Sequence, residues 1–173
     1  MLLKNQENSI KNSSRKKIGV LGGGQLARML CLQAHQLGLE VHVLSENKND
    51  PAALVTRFWH QGKIDNKASV KKFSQKVDII TFESEFANTQ VLKTVKCKYL
   101  PSLKNIATLQ DRLTQKKSLV KYKIPTSPFI HSSRAEQIND FFHTHKGFVA
   151  KKRMFGYDGY GTIIVNNLSL IHI

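Results

Sequence analysis

Lys17-Ile18-Gly19-Val20-Leu21-Gly22-Gly23-Gly24-Gln25-Leu26-Ala27-Arg28-Met29 is the stretch on which the fold turns. A short apolar, β-branched run, Lys17 to Leu21, ends in three glycines. Beyond them Leu26, Met29, Leu30, Gln33 and Leu37 fall at helical spacing. The order is therefore strand, glycine turn, helix. Gly38 closes the helix as a C-cap residue should, and Glu40 to Leu44 alternates like a second strand. Asp50-Pro51 breaks the chain, Arg57 to His60 reads as a short third strand and Ala68 to Gln75 as a helix. Val77 to Phe82 reads as a buried strand. Strands alternating with helices imply a parallel sheet with crossover helices, the doubly wound α/β class.

Past Tyr99-Leu100-Pro101 the pattern changes. A helical stretch from Ser102 to about Tyr122 is interrupted near Gln110-Asp111 and stopped by Pro125 and Pro128. Phe129-Ile130, Phe148 to Lys152 and Thr162 to Val165 read as strands, with a helix over Ala135 to His145. The expected organisation is a leader without structure over 1–15, a Rossmann-like domain over 16–101 and the start of an α+β domain over 102–167.

Composition narrows the functional classes. The 173 residues are 40% hydrophobic and 23% charged, with 27 Lys and Arg against 12 Asp and Glu, a formal net charge of +15. That excludes an acidic disordered chain and a collagen-like one. The two cysteines, Cys31 and Cys97, are too few for a disulfide framework and lack the paired spacing of a zinc site, so a reducing, cytoplasmic compartment is expected. No apolar run approaches the roughly 20 residues of a membrane span. The lysines are scattered without interleaved aromatics, so the charge reads as a basic surface suited to anionic small molecules rather than as a nucleic-acid module.

Gly22 to Ala27 fits the G-x-G-x-x-G/A fingerprint in its strand-to-helix setting, where backbone N–H groups favour a phosphate. Glu46 stands where a dinucleotide fold carries its ribose-binding acid, so a nicotinamide-dependent oxidoreductase is one open reading, and a packing turn or a seat for another ligand the others. A second glycine loop, Gly156-Tyr157-Asp158-Gly159-Tyr160-Gly161, follows a strand that delivers Lys151 and Lys152. Such a loop offers several N–H groups to phosphate oxygens while the lysines neutralise charge; the simpler alternative is a glycine-rich hairpin.

Three segments together resemble a family: Gly22 to Met29, Gln110-Asp111-Arg112-Leu113-Thr114-Gln115-Lys116, and Val149 to Arg153 followed by Gly156-Tyr157-Asp158-Gly159. With Thr81-Phe82-Glu83-Ser84-Glu85, they are similar to the N-terminal part of the 5-(carboxyamino)imidazole ribonucleotide synthases, ATP-grasp ligases of purine biosynthesis. The resemblance runs from about Lys16 to Asn167. It implies a doubly wound pre-ATP-grasp domain followed by the opening of an ATP-grasp domain. The implied reaction carboxylates 5-aminoimidazole ribonucleotide with bicarbonate at the expense of ATP, giving ADP and phosphate, with magnesium as cofactor. The implied enzyme is a homodimer without nucleic-acid or membrane partners.

Carried over by resemblance, Arg112, Lys151, Gly156, Tyr157, Asp158, Gly159, Tyr160, Gly161 and Thr162 bind ATP, the loop closing over its phosphates. Gly22, Gly23, Gly24, Gln25, Leu26 and Glu83 bind the aminoimidazole ribonucleotide. Phe155 stands where the family usually has glycine, Tyr160 where it has a basic residue and Ala87 where it has asparagine. The formate-dependent ribonucleotide transformylase is a related alternative. No Asp or Glu follows Asp158, so the catalytic and magnesium-binding carboxylates are expected beyond this chain, and the chain alone is expected to be inactive. Leu168 to Ile173 reads as the translation of a transposon-end adapter, an expected non-native tail.

Overall fold

In a computed structural model, residues 16–83, 85–156 and 159–167 are described. The expected leader 1–15, the tail 168–173, Ser84, Tyr157 and Asp158 lie outside the described residues. The chain divides into two compact units, 1–103 and 104–173.

In the first unit β1 (Lys17–Leu21), β2 (Glu40–Ser45), β3 (Phe58–Gln61) and β4 (Ile79–Phe82) form a parallel sheet in the order β3-β2-β1-β4. Helix α1 (Gln25–Gln36) connects β1 to β2, and α2 (Lys67–Ser74) connects β3 to β4. The chain passes outward from β1 to β3 and then returns to the other side of β1. The direction of winding thus reverses at the C-terminal ends of β1 and β4, where open α/β sheets bind ligands. Helix α3 (Thr89–Lys93), which sequence periodicity does not reveal in so short a segment, is capped by Asn88, whose side chain accepts from the N–H groups of Gln90 and Val91.

Side-chain alternation along the strands fills both faces of the sheet. Val20, Val41 and Val43 join Ala27, Cys31 and Ala34 of α1 in one core, with Trp59 against it. Leu21, Leu44 and Ile80 join Val70 and Phe73 of α2 and Leu92 in the other. Helix α1 forms where the spacing predicts it, but its packed face is not the large apolar stripe. Leu26 is 62% exposed and Met29 55%, whereas Ala27 and Cys31 are buried. Small side chains let the helix lie close on a sheet of valines. Gly38 takes φ +70° just past the helix and donates its N–H to His35 O, the left-handed stop its position implies.

On the α2 face His42, 5% exposed, is the centre of a hydrogen-bonded chain. Its Nε2 lies 2.7 Å from Glu40 Oε1 and its Nδ1 3.0 Å from His60 Nε2. A carboxylate only accepts, so with both imidazoles neutral His42 donates to Glu40 and His60 donates to His42. Burial, and then the charges of His42, Lys76 and Lys72, lower the His60 pKa from 6.5. The unfolded chain therefore takes up a proton at His60 more readily than the native one. Stability from this group is complete above the ordinary histidine value and declines as pH falls through it. Urea midpoints are expected to drop between pH 7.5 and 5.5, less steeply in His60→Gln; equal slopes would remove His60 as the cause.

In the second unit α4 (Leu103–Gln110), α5 (Arg112–Lys121) and α6 (Ala135–His145) accompany an antiparallel pair, β5 (Phe148–Lys151) and β6 (Thr162–Val165); α4 begins on the last residue of the first unit. Phe129-Ile130, expected as a strand, is irregular. Lys116 of α5 donates to Thr126 Oγ1 and Ser127 Oγ, both at 2.6 Å, and to Ser127 O at 3.2 Å. These bonds tether the segment ahead of Pro128 to a helix, and proline removes a ladder donor besides.

Candidate functional site

Two places carry the candidate residues, one in each unit. In the first unit Gly22, Gly23 and Gly24 follow β1 and Glu83 follows β4. Gly22 has φ +111°, and its N–H donates to Leu44 O at 3.0 Å. Gly23 O accepts from Ala52 N at 2.8 Å, and a Cβ on Gly23 would come 2.6 Å from the Cβ of Ser45. The turn is thus wedged between β2 and the segment after it, and glycine is required by close approach.

Helix α1 has no acidic residue in its first turn and no side-chain cap. Glu83 supplies the missing acceptor from β4: its Oε2 takes the Gly24 N–H at 2.9 Å, and a carboxylate suits the positive end of the helix. In this arrangement the amide that a dinucleotide pyrophosphate would use is already bonded to an anion. Glu46, the acid the nicotinamide reading needs, has a side chain 66% exposed that lies 3.9 Å from Lys63 Nζ. The turn is thus closely packed with a carboxylate across it, and neither the occupied Gly24 amide nor the exposed Glu46 favours the oxidoreductase reading. Gln25 and Leu26 are exposed beside the turn.

The second unit brings together most of the remaining candidates. Lys151 ends β5 opposite Thr162 of β6. Lys152 N donates to Gly161 O at 2.8 Å and Thr162 N to Gly159 O at 3.1 Å, so the two strands close the base of the glycine loop. Gly159 and Gly161 have φ +84° and +72°. Tyr160 is exposed. Across from the strand end, Asp111 caps α5, accepting from Leu113 N at 3.0 Å and Thr114 Oγ1 at 3.1 Å. Arg112 Nη2 donates to Gly156 O at 2.9 Å.

Asp111 and Arg153 have no role in the sequence reading, and the structure gives them one. Arg153 grips both carboxylate oxygens of Asp111, through Nε at 3.0 Å and through Nη2. Its carbonyl accepts the Arg112 N–H at 2.9 Å. The Arg153 guanidinium holds the Asp111 carboxyl well below the usual carboxylate range, helped by the Leu113 and Thr114 donors and opposed by burial. The signal in the sequence is that both residues stand inside motif segments; the pairing itself needs the fold.

Arg112, Lys116, Lys151 and Arg153 line a cavity of about 780 Å³ whose other walls include Phe129 and Phe148. No carboxylate lines it among the described residues. Cationic donors on an aromatic wall suit an anionic ligand with a planar part. Phe155, at the usual glycine position, has φ +60° and is 71% exposed. A left-handed non-glycine residue costs about 1–2 kcal/mol, against roughly 0.5–1 for glycine's greater unfolded freedom. Phe155→Gly is thus expected to stabilise the second unit by up to about 1 kcal/mol in urea melts; a destabilised variant would show that the ring contributes more than its backbone costs.

The ribonucleotide synthetase preATP-grasp domain profile matches residues 15–110, more than half of the chain. The chain belongs to this family. Among curated relatives of this preATP-grasp chain, the N5-carboxyaminoimidazole ribonucleotide synthase of Synechococcus elongatus is 35% identical over 167 residues, covering 94% of this chain and 42% of its own length. That of Staphylococcus aureus strain COL is 36% identical over 153 residues, covering 87% and 41%. The S. aureus N5-carboxyaminoimidazole synthetase crystallised with ADP superposes with a TM-score of 0.82 at 33% identity, over 91% of this chain and 43% of the other. The Aspergillus clavatus synthase, solved with ADP and 5-aminoimidazole ribonucleotide, gives 0.78 at 28% identity, over 91% and 42%. The expected doubly wound pre-ATP-grasp fold and the synthase resemblance are both borne out. The chain spans about two fifths of the length of these relatives.

Proposed function

We propose that this chain is the substrate-positioning and partial nucleotide-binding portion of an ATP-dependent 5-aminoimidazole ribonucleotide carboxylase of purine biosynthesis. Residues 16–101 form its pre-ATP-grasp domain and 102–167 the opening of its ATP-grasp domain. The observation that carries the reading is the cavity lined by Arg112 and Lys151, with no carboxylate among its described lining residues, in a chain whose relatives are crystallised with ADP and with the aminoimidazole ribonucleotide.

In the proposed reaction the terminal phosphoryl group of ATP passes to a bicarbonate oxygen, giving carboxyphosphate and ADP. The exocyclic amine of the ribonucleotide then attacks the carboxyl carbon, phosphate leaves, and the amine proton is lost to solvent or base. Lys151 and Arg112 act by placing donors and positive charge against phosphate oxygens, worth most where water is excluded. Backbone groups of Gly156, Gly159, Gly161 and Thr162 and the exposed Tyr160 complete this side of the nucleotide subsite, with Tyr157 and Asp158 assigned to it from sequence. Gly22 to Leu26 and Glu83 receive the ribonucleotide at the sheet's reversal point.

Magnesium does not fit the residues present: among the described ones no three His, Cys, Asp or Glu cluster as metal ligands. No step is assigned to the metal through this chain. Among the described residues no helix is long and apolar enough to cross a membrane; the cytoplasm and a homodimeric longer protein belong to the same proposal.

The test is binding. Calorimetry is expected to find saturable ATP binding, weakened about tenfold in Lys151→Ala through loss of one charge-assisted contact. Binding of NAD but not ATP would overturn the reading.

A further inference from the structure

We infer that Arg153 is a positioning residue for the nucleotide subsite, acting through Asp111 rather than on the ligand. The inference rests on the ATP reading above and adds to it a residue whose guanidinium is already committed. Three contacts join the end of β5 to the start of α5: the two-pronged Arg153–Asp111 pair, the Arg112 N–H on Arg153 O, and the Arg112 guanidinium on Gly156 O. They tie together the two segments that carry the cationic candidates. Lys151 is two residues before Arg153, and Arg112 is one residue after Asp111.

The geometry explains why arginine and aspartate stand there. A guanidinium fork meets both carboxylate oxygens in one orientation, which fixes an angle as well as a distance. Asp111 is held by its helix: it caps α5 through Leu113 N, so the fork is referred to a rigid element and not to a loop. Its carboxylate is 16% exposed against 48% for the Arg153 side chain. The pair neutralises itself, which leaves Lys151 as charge for a phosphate and Arg112 braced by a neutral carbonyl. Loosening the clamp would let the Lys151-to-Arg112 spacing drift, and small misplacement of binding groups is costly.

The experiment measures ATP affinity by calorimetry and exchange of the Arg112 amide by NMR in the wild-type chain, Arg153→Gln, Arg153→Lys, Asp111→Asn and the double variant Asp111→Asn/Arg153→Gln. Asparagine caps a helix as well as aspartate, so Asp111→Asn removes the ion pair while keeping α5 closed. A clamp predicts about tenfold weaker ATP binding in Arg153→Gln and in Asp111→Asn, partial recovery in Arg153→Lys, and a double variant no worse than either single one. It also predicts faster exchange of the Arg112 amide in each single variant. Loss in Arg153→Gln with none in Asp111→Asn would overturn the inference, because Arg153 would then be meeting the ligand itself. Additive losses would overturn it as well. A wild-type chain that bound no ATP would overturn the nucleotide reading instead, and unchanged Arg112 exchange in the variants would independently overturn the clamp.

Discussion

Phe73→Ala is expected to destabilise the first unit by about 3–5 kcal/mol, toward the upper end of what a buried aromatic loses. Phe73 is the largest fully buried side chain among the described residues, 2% exposed, in the core between α2 and the sheet. Its ring lies over Gly19 of β1, where an added Cβ would fall 2.7 Å from Cε1. Its edge meets the His60 ring, centroids 5.4 Å apart. Gly19 presents no side chain to fill the resulting hole from β1, so the cavity cost persists. Trp59, the sole tryptophan, packs in the opposite core of the same unit and reports its unfolding by fluorescence. A urea midpoint equivalent to less than about 1 kcal/mol of loss would mean that the neighbours close the hole. Gly19→Ala alone overfills the same place. The pair Gly19→Ala/Phe73→Leu is expected to be better tolerated than the sum of its parts, since neighbours that share a volume are not additive.

The sheet was legible because each strand carries its own signal: β-branched runs bounded by glycine or by a turn, separated by lengths only a crossover fills. Which side of α1 packs was not legible. The stripe Leu26, Met29, Leu30, Leu37 has the periodicity of a buried face, yet of these only Leu30 lies against the core, and Ala27, Cys31 and Ala34 are the residues buried in it. Periodicity identifies a helix, and the closeness of the surface it meets decides which side chains fit. Phe129-Ile130 is irregular where a strand is expected, and the segment just ahead of it is held by a side chain ten and eleven residues away, Lys116 on Thr126 and Ser127. The candidate ligand residues stood out in their motifs, whereas their supports did not. Glu83 on Gly24 N–H spans 59 positions and Arg153 on Asp111 spans 42, separations at which local reading carries no geometric information.

Gly22→Ala is expected to cost about 3 kcal/mol, from left-handed strain and crowding together, and to disturb the turn at the sheet's reversal point more than Gly24→Ala does. The two glycines face the same carboxylate and differ in what else they need. At Gly24, φ is −76°, ordinary for any residue, and an added Cβ would meet the far end of Glu83, 2.1 Å from Oε1 and 3.0 Å from Cδ. That side chain can swing away at the cost of its bond to Gly24 N–H. Gly22 has φ +111° and a Cβ there would lie 2.8 Å from Glu83 Cβ as well as 2.3 Å from Oε2. The Glu83 Cβ cannot move alone, because the Glu83 N–H is bonded to Leu21 O at 3.0 Å at the junction of β4 and β1. Glu83→Ala therefore separates the two cases in urea melts. It is expected to bring Gly24→Ala back to the stability of Glu83→Ala itself, while Gly22→Ala/Glu83→Ala stays about 2 kcal/mol below it, from the left-handed strain and the Cβ contact that alanine at 83 keeps. Full recovery of the Gly22 double variant would show that the carboxylate alone, and not the left-handed turn, demands glycine at this position.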